Sequence, residues 1–229
     1  MYRNHRIIAI IPARSGSKGV HNKNIRIVNR VPLIAHTIQS AKGSSYIDRI
    51  VVSTDSKRIQ NIALSFGADV PFLRPKKLAD DNSKTIDSIL YTIDKLRDDS
   101  NDIFDSIILL QPTSPLITSS DINGAIESFY HFDEDLASIS KVEINPFLIR
   151  TLDDSNRVSP IINATSTIRR QDLPSFYKIN GAIYVNKISK LKPTTSLNDN
   201  PYGFVIDESR SLDIDSYEDI KKARRILKR

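Results

Sequence analysis

Residues 7–19 read IIAIIPARSGSKG, an unbroken apolar run that leads into a basic loop with two glycines. An apolar run without polar alternation is typical of a strand buried on both faces of a parallel sheet. Short runs of the same kind occur at residues 50–52 and 107–110, and a further apolar strand is predicted at residues 181–185. The opening stretch therefore predicts a buried strand of a parallel sheet with the basic loop at its carboxyl end.

Helical patterns lie between these runs. Apolar residues recur with the i, i+3, i+4, i+7 spacing of an amphipathic helix at residues 59–66, 86–93 and 122–129. Pro32 can open another helix that ends near Gly43. Strands and helices that alternate in this order predict an α/β fold with a doubly wound parallel sheet.

The regular pattern stops between residues 143 and 177. This stretch holds three prolines and the charged run Arg169-Arg170-Gln171-Asp172. Its content of Ile, Phe and Leu favours a small packed subdomain or an interface arm over a loose loop. We therefore predict an α/β domain formed by residues 1–142 and 178–229, with residues 143–177 as an inserted arm.

The composition excludes several classes of protein. With 39% hydrophobic and 26% charged residues in a chain of 229, neither a disordered nor a fibrous protein is expected. The absence of Cys excludes disulfides, thiol nucleophiles and Cys-ligated zinc. No apolar stretch approaches the roughly 20 residues of a membrane helix. We expect a soluble, cytoplasmic protein with no membrane partner.

The net charge of +6 is unevenly distributed. Residues 1–30 contain seven Lys or Arg and no acidic residue, residues 216–229 contain six Lys or Arg against two acids, and the middle of the chain is acidic. A nucleic-acid binder would spread basic residues along a docking face, interleaved with aromatic side chains. We therefore predict no nucleic-acid partner, and the C-terminal charges suit the solvent face of a terminal helix.

The basic loop after the first strand is a candidate anion site, because ligands of open α/β sheets bind beyond the carboxyl ends of the strands. Glycines let backbone N–H groups approach an anion, and Arg14 and Lys18 supply positive charge. The loop suits a polyphosphate, although it has neither the Walker A nor the G-x-G-x-x-G spacing. An exposed basic turn is an equally good interpretation of the composition.

A second candidate is Asp213-Ile214-Asp215 near the C-terminus. Side chains two apart in an extended segment point the same way, so both carboxylates can reach one Mg²⁺ ion. The alternative is that Asp215 or Ser216 caps the terminal helix. The polar strand ends at residues 53–55 and 111–115 are predicted to face the same rim or to cap the helices that follow them.

Several motifs together resemble one family. They are residues 10–19 with 23–25, residues 52–55, Arg74-Pro75 with residues 78–81, and residues 110–115, 170–174, 180–184 and 213–215. In order and spacing this set is similar to the acylneuraminate cytidylyltransferases, the CMP-sialic acid synthetases. The resemblance implies transfer of CMP from CTP to the anomeric hydroxyl of a nine-carbon 2-keto acid sugar, a nonulosonic acid, with release of pyrophosphate.

The resemblance also implies a Rossmann-like nucleotidyltransferase sheet, a homodimer and a set of site residues. The residues implied to bind CTP are Arg14, Ser17, Lys18, Asn24, Arg74 and Thr85. Those implied to be catalytic are Arg14, Lys23 and Asp215. The sugar pocket is implied to contain Gln111, Asn180, Tyr184 and, from the arm of the partner subunit, Arg170. The Mg²⁺ ion is implied to bind Asp213 and Asp215.

Three points stay open at this level. The acceptor can be sialic acid, legionaminic acid or another bacterial nonulosonic acid. The reaction can instead be that of a synthetase for the eight-carbon sugar Kdo, or the chain can be a catalytically silent CTP-binding regulator. The group that removes the hydroxyl proton can be a metal-bound hydroxide or Asp215.

Overall fold

The computed structural model describes residues 1–17, 19–163 and 173–228. The strands in chain order are β1 (Ile7–Pro12), β2 (Ile27–Val28), β3 (Val31–Pro32), β4 (Arg49–Ser53), β5 (Ser106–Leu110), β6 (Leu136–Val142), β7 (Arg150–Leu152), β8 (Val158–Pro160), β9 (Phe176–Lys187) and β10 (Tyr202–Val205). The α-helices are α1 (Leu33–Lys42), α2 (Lys57–Ser65), α3 (Thr85–Ser100), α4 (Ser119–Phe132) and α5 (Tyr217–Ile226). Short 3₁₀ turns lie at Lys23–Ile25, Lys76–Leu78, Pro146–Leu148, Ile188–Lys190, Leu197–Asp199 and Glu208–Arg210.

A six-stranded sheet forms the centre, in the order β10-β6-β9-β5-β1-β4. Strand β1 pairs in parallel with β4 and β5, and β10 pairs in parallel with β6. Strand β9 alone within this sheet runs antiparallel, to both β5 and β6. The predicted α/β class with a parallel, doubly wound sheet is confirmed, and the reversed β9 is a feature that the apolar pattern did not reveal.

Both faces of β1 are buried, as its unbroken apolar run predicts. Ile7, Ala9 and Ile11 face a core layer shared with α1, α2 and α4, while Ile8 and Ile10 face a second layer shared with α3. Helix α5 packs on a third, smaller cluster. Among the described residues, no helix has the length and hydropathy that crossing a bilayer requires.

Strand β6 was not predicted, because its sequence LASISKV interrupts the apolar pattern with two serines. Ser138 and Ser140 are nevertheless buried. The Ser138 Oγ accepts a hydrogen bond from the backbone N–H of Ile183 (2.8 Å) and donates one to Asn180 Oδ1 (2.5 Å). Ser138 lies where the pairing of β6 with β9 shifts register. Its hydroxyl therefore replaces backbone hydrogen bonds that the irregular pairing does not supply.

The predicted arm begins where β6 ends and finishes where β9 begins. Because β6 and β9 are antiparallel neighbours, both of these points lie at the edge of the sheet where the parallel strands end. Between them the described residues include the hairpin β7–β8, and residues 164–172 lie outside the described part of the chain. The boundaries 1–142, 143–177 and 178–229 stay a prediction.

Candidate active site

A cleft of about 390 Å³ opens beyond the carboxyl ends of β1 and β5, and we call it the main cleft because most of the residues expected to bind nucleotide line it. It is lined by eight residues to which the sequence assigned a role: Arg14, Ser17, Lys23, Asn24, Arg74, Thr85, Gln111 and Asp215. Lys18 lies outside the described residues. The structure thus brings most of the residues expected to bind nucleotide into one cavity.

The basic loop and the paired aspartates meet in this cleft. The Lys23 Nζ donates to Asp215 Oδ1 (2.9 Å) and to the backbone oxygen of Ile214 (2.8 Å), across more than 190 residues of sequence. A Cβ atom at Gly19 would lie 2.3 Å from the backbone oxygen of Asp215. Only glycine permits so close an approach, so the loop is shaped to fit the aspartate segment.

The two aspartates line neighbouring clefts: Asp215 lines the main cleft, and Asp213 lines another cleft together with Asn180. That both carboxylates reach one cation stays a prediction. Ile214 is fully buried between them, whereas Asp213 and Asp215 are exposed. Ser216, and not Asp215, caps α5, in a capping box with Asp219. The carboxylate of Asp215 is therefore available to the cleft.

The pair fits a divalent cation that also binds a nucleotide. Desolvation and the negative charge of Asp215 raise the pKa of Asp213, against a hydrogen bond from Thr113 and the charge of Lys23. Among the described residues, no group of three or more His, Cys, Asp or Glu gathers around a single point. Two carboxylates without further protein ligands are typical of Mg²⁺ sites, in which phosphate oxygens and water complete the coordination.

A residue that sequence analysis did not assign, Asp55, holds the basic loop in place. Its carboxylate accepts hydrogen bonds from the Ser15 backbone N–H (2.8 Å) and from the Ser15 hydroxyl (2.5 Å). The loop is closed from inside by the Asn24 side chain, which donates to the backbone oxygen of Arg14 (3.0 Å). The sequence predicted that the polar end of β4 lies near the basic loop, but the spacing of the residues did not indicate that Asp55 pairs with Ser15.

Two buried polar groups in the cleft have no hydrogen-bond partner among the described residues. They are the Nε of Arg74 and the Oδ1 of Asn24, whose residues are each only 6% exposed. Burial lowers the pKa of Arg74, with the charge of Asp55 opposing and that of Arg14 reinforcing the effect. Since buried polar groups are almost always paired, these atoms indicate that a polar ligand belongs in the cleft.

The N-terminus of α3 opens onto the same cleft. Lys84 precedes the helix, and no side chain among the described residues caps it, although the backbone N–H of Asp87 donates to the backbone oxygen of Lys84 (3.2 Å). On the opposite wall, the Arg14 guanidinium pairs with Asp81 (2.8 Å). Asp81 belongs to the segment between Arg74 and α3, and this contact ties that segment to the basic loop.

The residues implied to bind sugar surround the aspartates but do not share one cavity. Gln111 lies between the main cleft and a second cleft of about 450 Å³, which we call the Tyr184 cleft. There the Tyr184 hydroxyl donates to Asn198 Oδ1 (2.6 Å), a contact that no sequence motif indicated. Arg170 lies outside the described residues.

Asn180 lines a third cleft, beside Asp213. A bulge in β9 turns its side chain there, since Gly181 adopts a positive φ of 76° and the pairing with β6 shifts register nearby. The Asn180 Oδ1 accepts from Ser138 and from the backbone N–H of Ala182, while its buried Nδ2 has no partner in the described part of the chain. Asn180 therefore offers a free donor close to the aspartates.

Comparison with known proteins agrees with this geometry. A family model described as cytidylyltransferase matches residues 8–228. A CMP-N,N'-diacetyllegionaminic acid synthase of Legionella pneumophila is 38% identical over 214 residues, which cover 92% of this chain and 91% of that protein. An N-acylneuraminate cytidylyltransferase of Streptococcus agalactiae is 37% identical over 93% of this chain, which spans about half (51%) of that protein.

Solved structures support the fold. A CMP-2-keto-3-deoxy-manno-octonic acid synthetase in complex with CTP superposes with a TM-score of 0.74, and the alignment covers 97% of this chain and 98% of that one. At 17% sequence identity this likeness concerns the fold alone. From its family model and its relatives, this chain belongs to the cytidylyltransferase family.

Proposed function

We propose that the protein transfers CMP from CTP to the anomeric hydroxyl of a nonulosonic acid and releases pyrophosphate. The observation that carries the proposal is the contact of Lys23 with Asp215 in the main cleft, which brings the basic loop and the aspartate segment to one cavity beside the residues expected to bind CTP. The names of the relatives, which act on diacetyllegionaminic acid and N-acylneuraminate, support this acceptor class.

In the proposed reaction the sugar oxygen attacks the α-phosphorus of CTP, and the bond from that phosphorus to the bridging oxygen of pyrophosphate breaks. Catalysis of such a step consists mainly of positioning and of neutralising charge. Arg14 and Lys23 would neutralise the departing pyrophosphate, exchanging their contacts to Asp81 and Asp215 for phosphate oxygens.

Cytidylyltransferases of this type generally use a divalent metal, and we propose Mg²⁺ for this chain. Asp213 and Asp215 would hold it, and when bound it supplies Lewis-acid stabilisation of charge on the phosphates. The chain itself contributes to the alignment, because the burial of Ile214 fixes the segment between the two aspartates.

The base and ribose of CTP would occupy the inner wall of the main cleft. Cytosine presents two adjacent acceptors, O2 and N3, which match the Nε donor of Arg74 and a first turn of α3 that no described side chain caps. The unpaired Asn24 Oδ1 is an acceptor that suits a ribose hydroxyl. We propose that Ser17 and Lys18 complete the phosphate contacts.

The sugar acid would lie on the other side of the aspartates. Gln111 and Tyr184 face it from one direction and the free Nδ2 of Asn180 from the other. We propose that Arg170 of the partner subunit binds the sugar carboxylate, because a guanidinium fork suits a planar anion. We place the reaction in the cytoplasm, where CTP is made.

A panel of acceptors tests this function directly. Purified protein is offered CTP and Mg²⁺ with sialic, legionaminic or pseudaminic acid, or Kdo, and pyrophosphate release is measured. We expect turnover with a nine-carbon acid, with kcat/KM at least about 100-fold above that for Kdo, since a site built for polar substituents rejects an analogue that lacks them. Faster turnover of Kdo, or tight CTP binding without turnover on any acid, would favour one of the two alternative functions.

We also propose that the protein is a homodimer joined through the arm. Side chains of the arm are unusually apolar for a surface: Ile144, Leu148, Leu152, Val158 and Ile161 are each about 60% exposed or more. Exposed apolar surface that is concentrated in one place marks an interaction site. A second copy of the chain is the partner that the sequence resemblance implies.

The arm predicts a mutation that separates the subunits. Leu152→Asp places a charge in the β7–β8 hairpin, where Leu152 is 64% exposed, and we expect the dimer to dissociate to a 25.8 kDa monomer in light scattering. Leu64→Asp is the matched control, because Leu64 is 50% exposed on α2, outside the arm. Equal masses for both variants and the parent protein would argue against the arm as the interface.

A further inference from the structure

The segment that carries the two aspartates is anchored by an ion pair that lies outside the main cleft. The guanidinium of Arg210 donates through Nε to Asp121 Oδ2 (3.1 Å) and through Nη2 to Asp121 Oδ1 (2.9 Å). This is a bidentate pair, which fixes orientation as well as distance. The Asp121 side chain is only 8% exposed, so one half of the pair is firmly buried.

Asp121 lies in the first turn of α4, directly after the rim loop that contains Gln111 and Thr113. Its carboxylate also accepts from the backbone N–H (2.9 Å) and the hydroxyl (2.7 Å) of Thr118, which caps the helix. Burial alone would raise the pKa of Asp121, but the hydrogen bonds from Arg210 and Thr118 lower it. Asp121 is therefore ionised, and its carboxylate accepts hydrogen bonds from both Arg210 and Thr118 at the carboxyl end of the sheet.

A second tie follows a few residues after Arg210. The backbone N–H of Ile214 donates to the backbone oxygen of Thr113 (2.8 Å). From Ser211 to Asp215 the chain forms no regular secondary structure. These two ties hold the aspartate segment, together with the burial of Ile214 and the hydrogen bonds that Lys23 donates to Ile214 and Asp215.

We propose that the Arg210–Asp121 pair is a positioning device that sets Asp213 and Asp215 against the rim loop and thereby tunes their affinity for the metal. The inference rests on the proposed function, which assigns the metal to these aspartates. The capping box of Asp121 with Thr118 already stabilises the start of α4, and it does not require Arg210. The bidentate geometry and its place three residues before Asp213 point instead to alignment.

Two substitutions of Arg210 and one control test whether the ion pair positions the aspartates or only supports the cap of α4. Arg210→Met removes the charge and leaves the capping box of α4 intact, while Arg210→Lys keeps a charge but cannot form two parallel hydrogen bonds. Arg97→Met is the matched control, since Arg97 forms an exposed ion pair with Asp94 on α3. Mn²⁺ serves as the probe for the metal, and its binding to the full-length protein is followed by electron paramagnetic resonance, with and without CTP.

We expect Arg210→Met to weaken Mn²⁺ binding about tenfold and Arg210→Lys to recover part of that loss, with no change for Arg97→Met. The backbone amides of residues 211–216 should exchange hydrogen faster in Arg210→Met, as seen by mass spectrometry. The melting temperature of each variant shows that it is folded. Mn²⁺ affinity within twofold of the parent in folded Arg210→Met would overturn the proposal.

Asp215→Asn distinguishes failure of this inference from failure of the proposed function. If Asp215→Asn weakens Mn²⁺ binding and folded Arg210→Met does not, the aspartates bind metal and the anchor has no positioning role. If Asp215→Asn leaves Mn²⁺ binding unchanged, the metal does not bind there, and both assignments are wrong.

Discussion

Asp215→Asn is expected to lower kcat by about two orders of magnitude or more at saturating CTP and Mg²⁺, the scale on which a preorganised charge-stabilising group acts. The change removes one negative charge from the pair and also the partner of Lys23 in the main cleft. Asn keeps the size of the side chain, and Asp215 is exposed, so the fold is unaffected. Steady-state pyrophosphate release measures the effect.

Asp94→Asn provides the matched control for this experiment. Asp94 is an exposed carboxylate on α3 whose ion pair with Arg97 lies on the helix surface. We expect its kcat to equal that of the parent protein. Unchanged turnover of Asp215→Asn in saturating Mg²⁺ would contradict both the metal assignment and a role for this carboxylate in proton removal.

The second large effect is expected for Lys23→Met, which should lower kcat/KM for CTP by about 100-fold. The Lys23 side chain is only 16% exposed and reaches both Asp215 and the space proposed for the triphosphate. Met has similar length and no charge, so the change isolates the electrostatic contribution. Kinetics at varied CTP concentration measure it.

Stability should respond differently from activity in the Lys23 variant. The pair that is lost has one well-exposed member, as Asp215 is 77% exposed, and such pairs contribute about 0–1 kcal/mol to the free energy of unfolding. Chemical denaturation should therefore show a loss of less than about 1 kcal/mol. A variant that unfolds readily, or one whose kcat/KM stays within threefold of the parent, would show that Lys23 has another role.

Much of the fold could be predicted because its central strands are buried on both faces. The runs that predict β1, β4 and β5 have no polar interruption, and the intervening helices keep a regular apolar stripe. Strand β6 was not predicted because the polar Ser138 interrupts its apolar pattern. The reason for this serine is its hydrogen bonds to Asn180 and Ile183 of β9, which become visible only when the two strands are paired. The direction of β9 could not be predicted either, since an apolar run is the same in both directions.

The parts of the site that could be predicted are those in which one short stretch of sequence contains several functional side chains. The loop around Arg14 and the pair Asp213 and Asp215 were recognised from their own spacing, and the structure brings Lys23 of the loop onto Asp215. Contacts between distant single residues were not visible: neither Asp55 with Ser15 nor Arg210 with Asp121 leaves a local pattern. Such contacts depend on which strand ends become neighbours, and that is decided by the topology of the whole sheet.

The reversed direction of β9 has an evolutionary consequence. Because the chain leaves the sheet at the end of β6 and returns at the start of β9 through the same edge, an insertion between them can lengthen, shorten or diverge without altering any strand register in the interior. The segment between β6 and β9 can therefore change independently in evolution, while the six strands of the central sheet and their order are left intact.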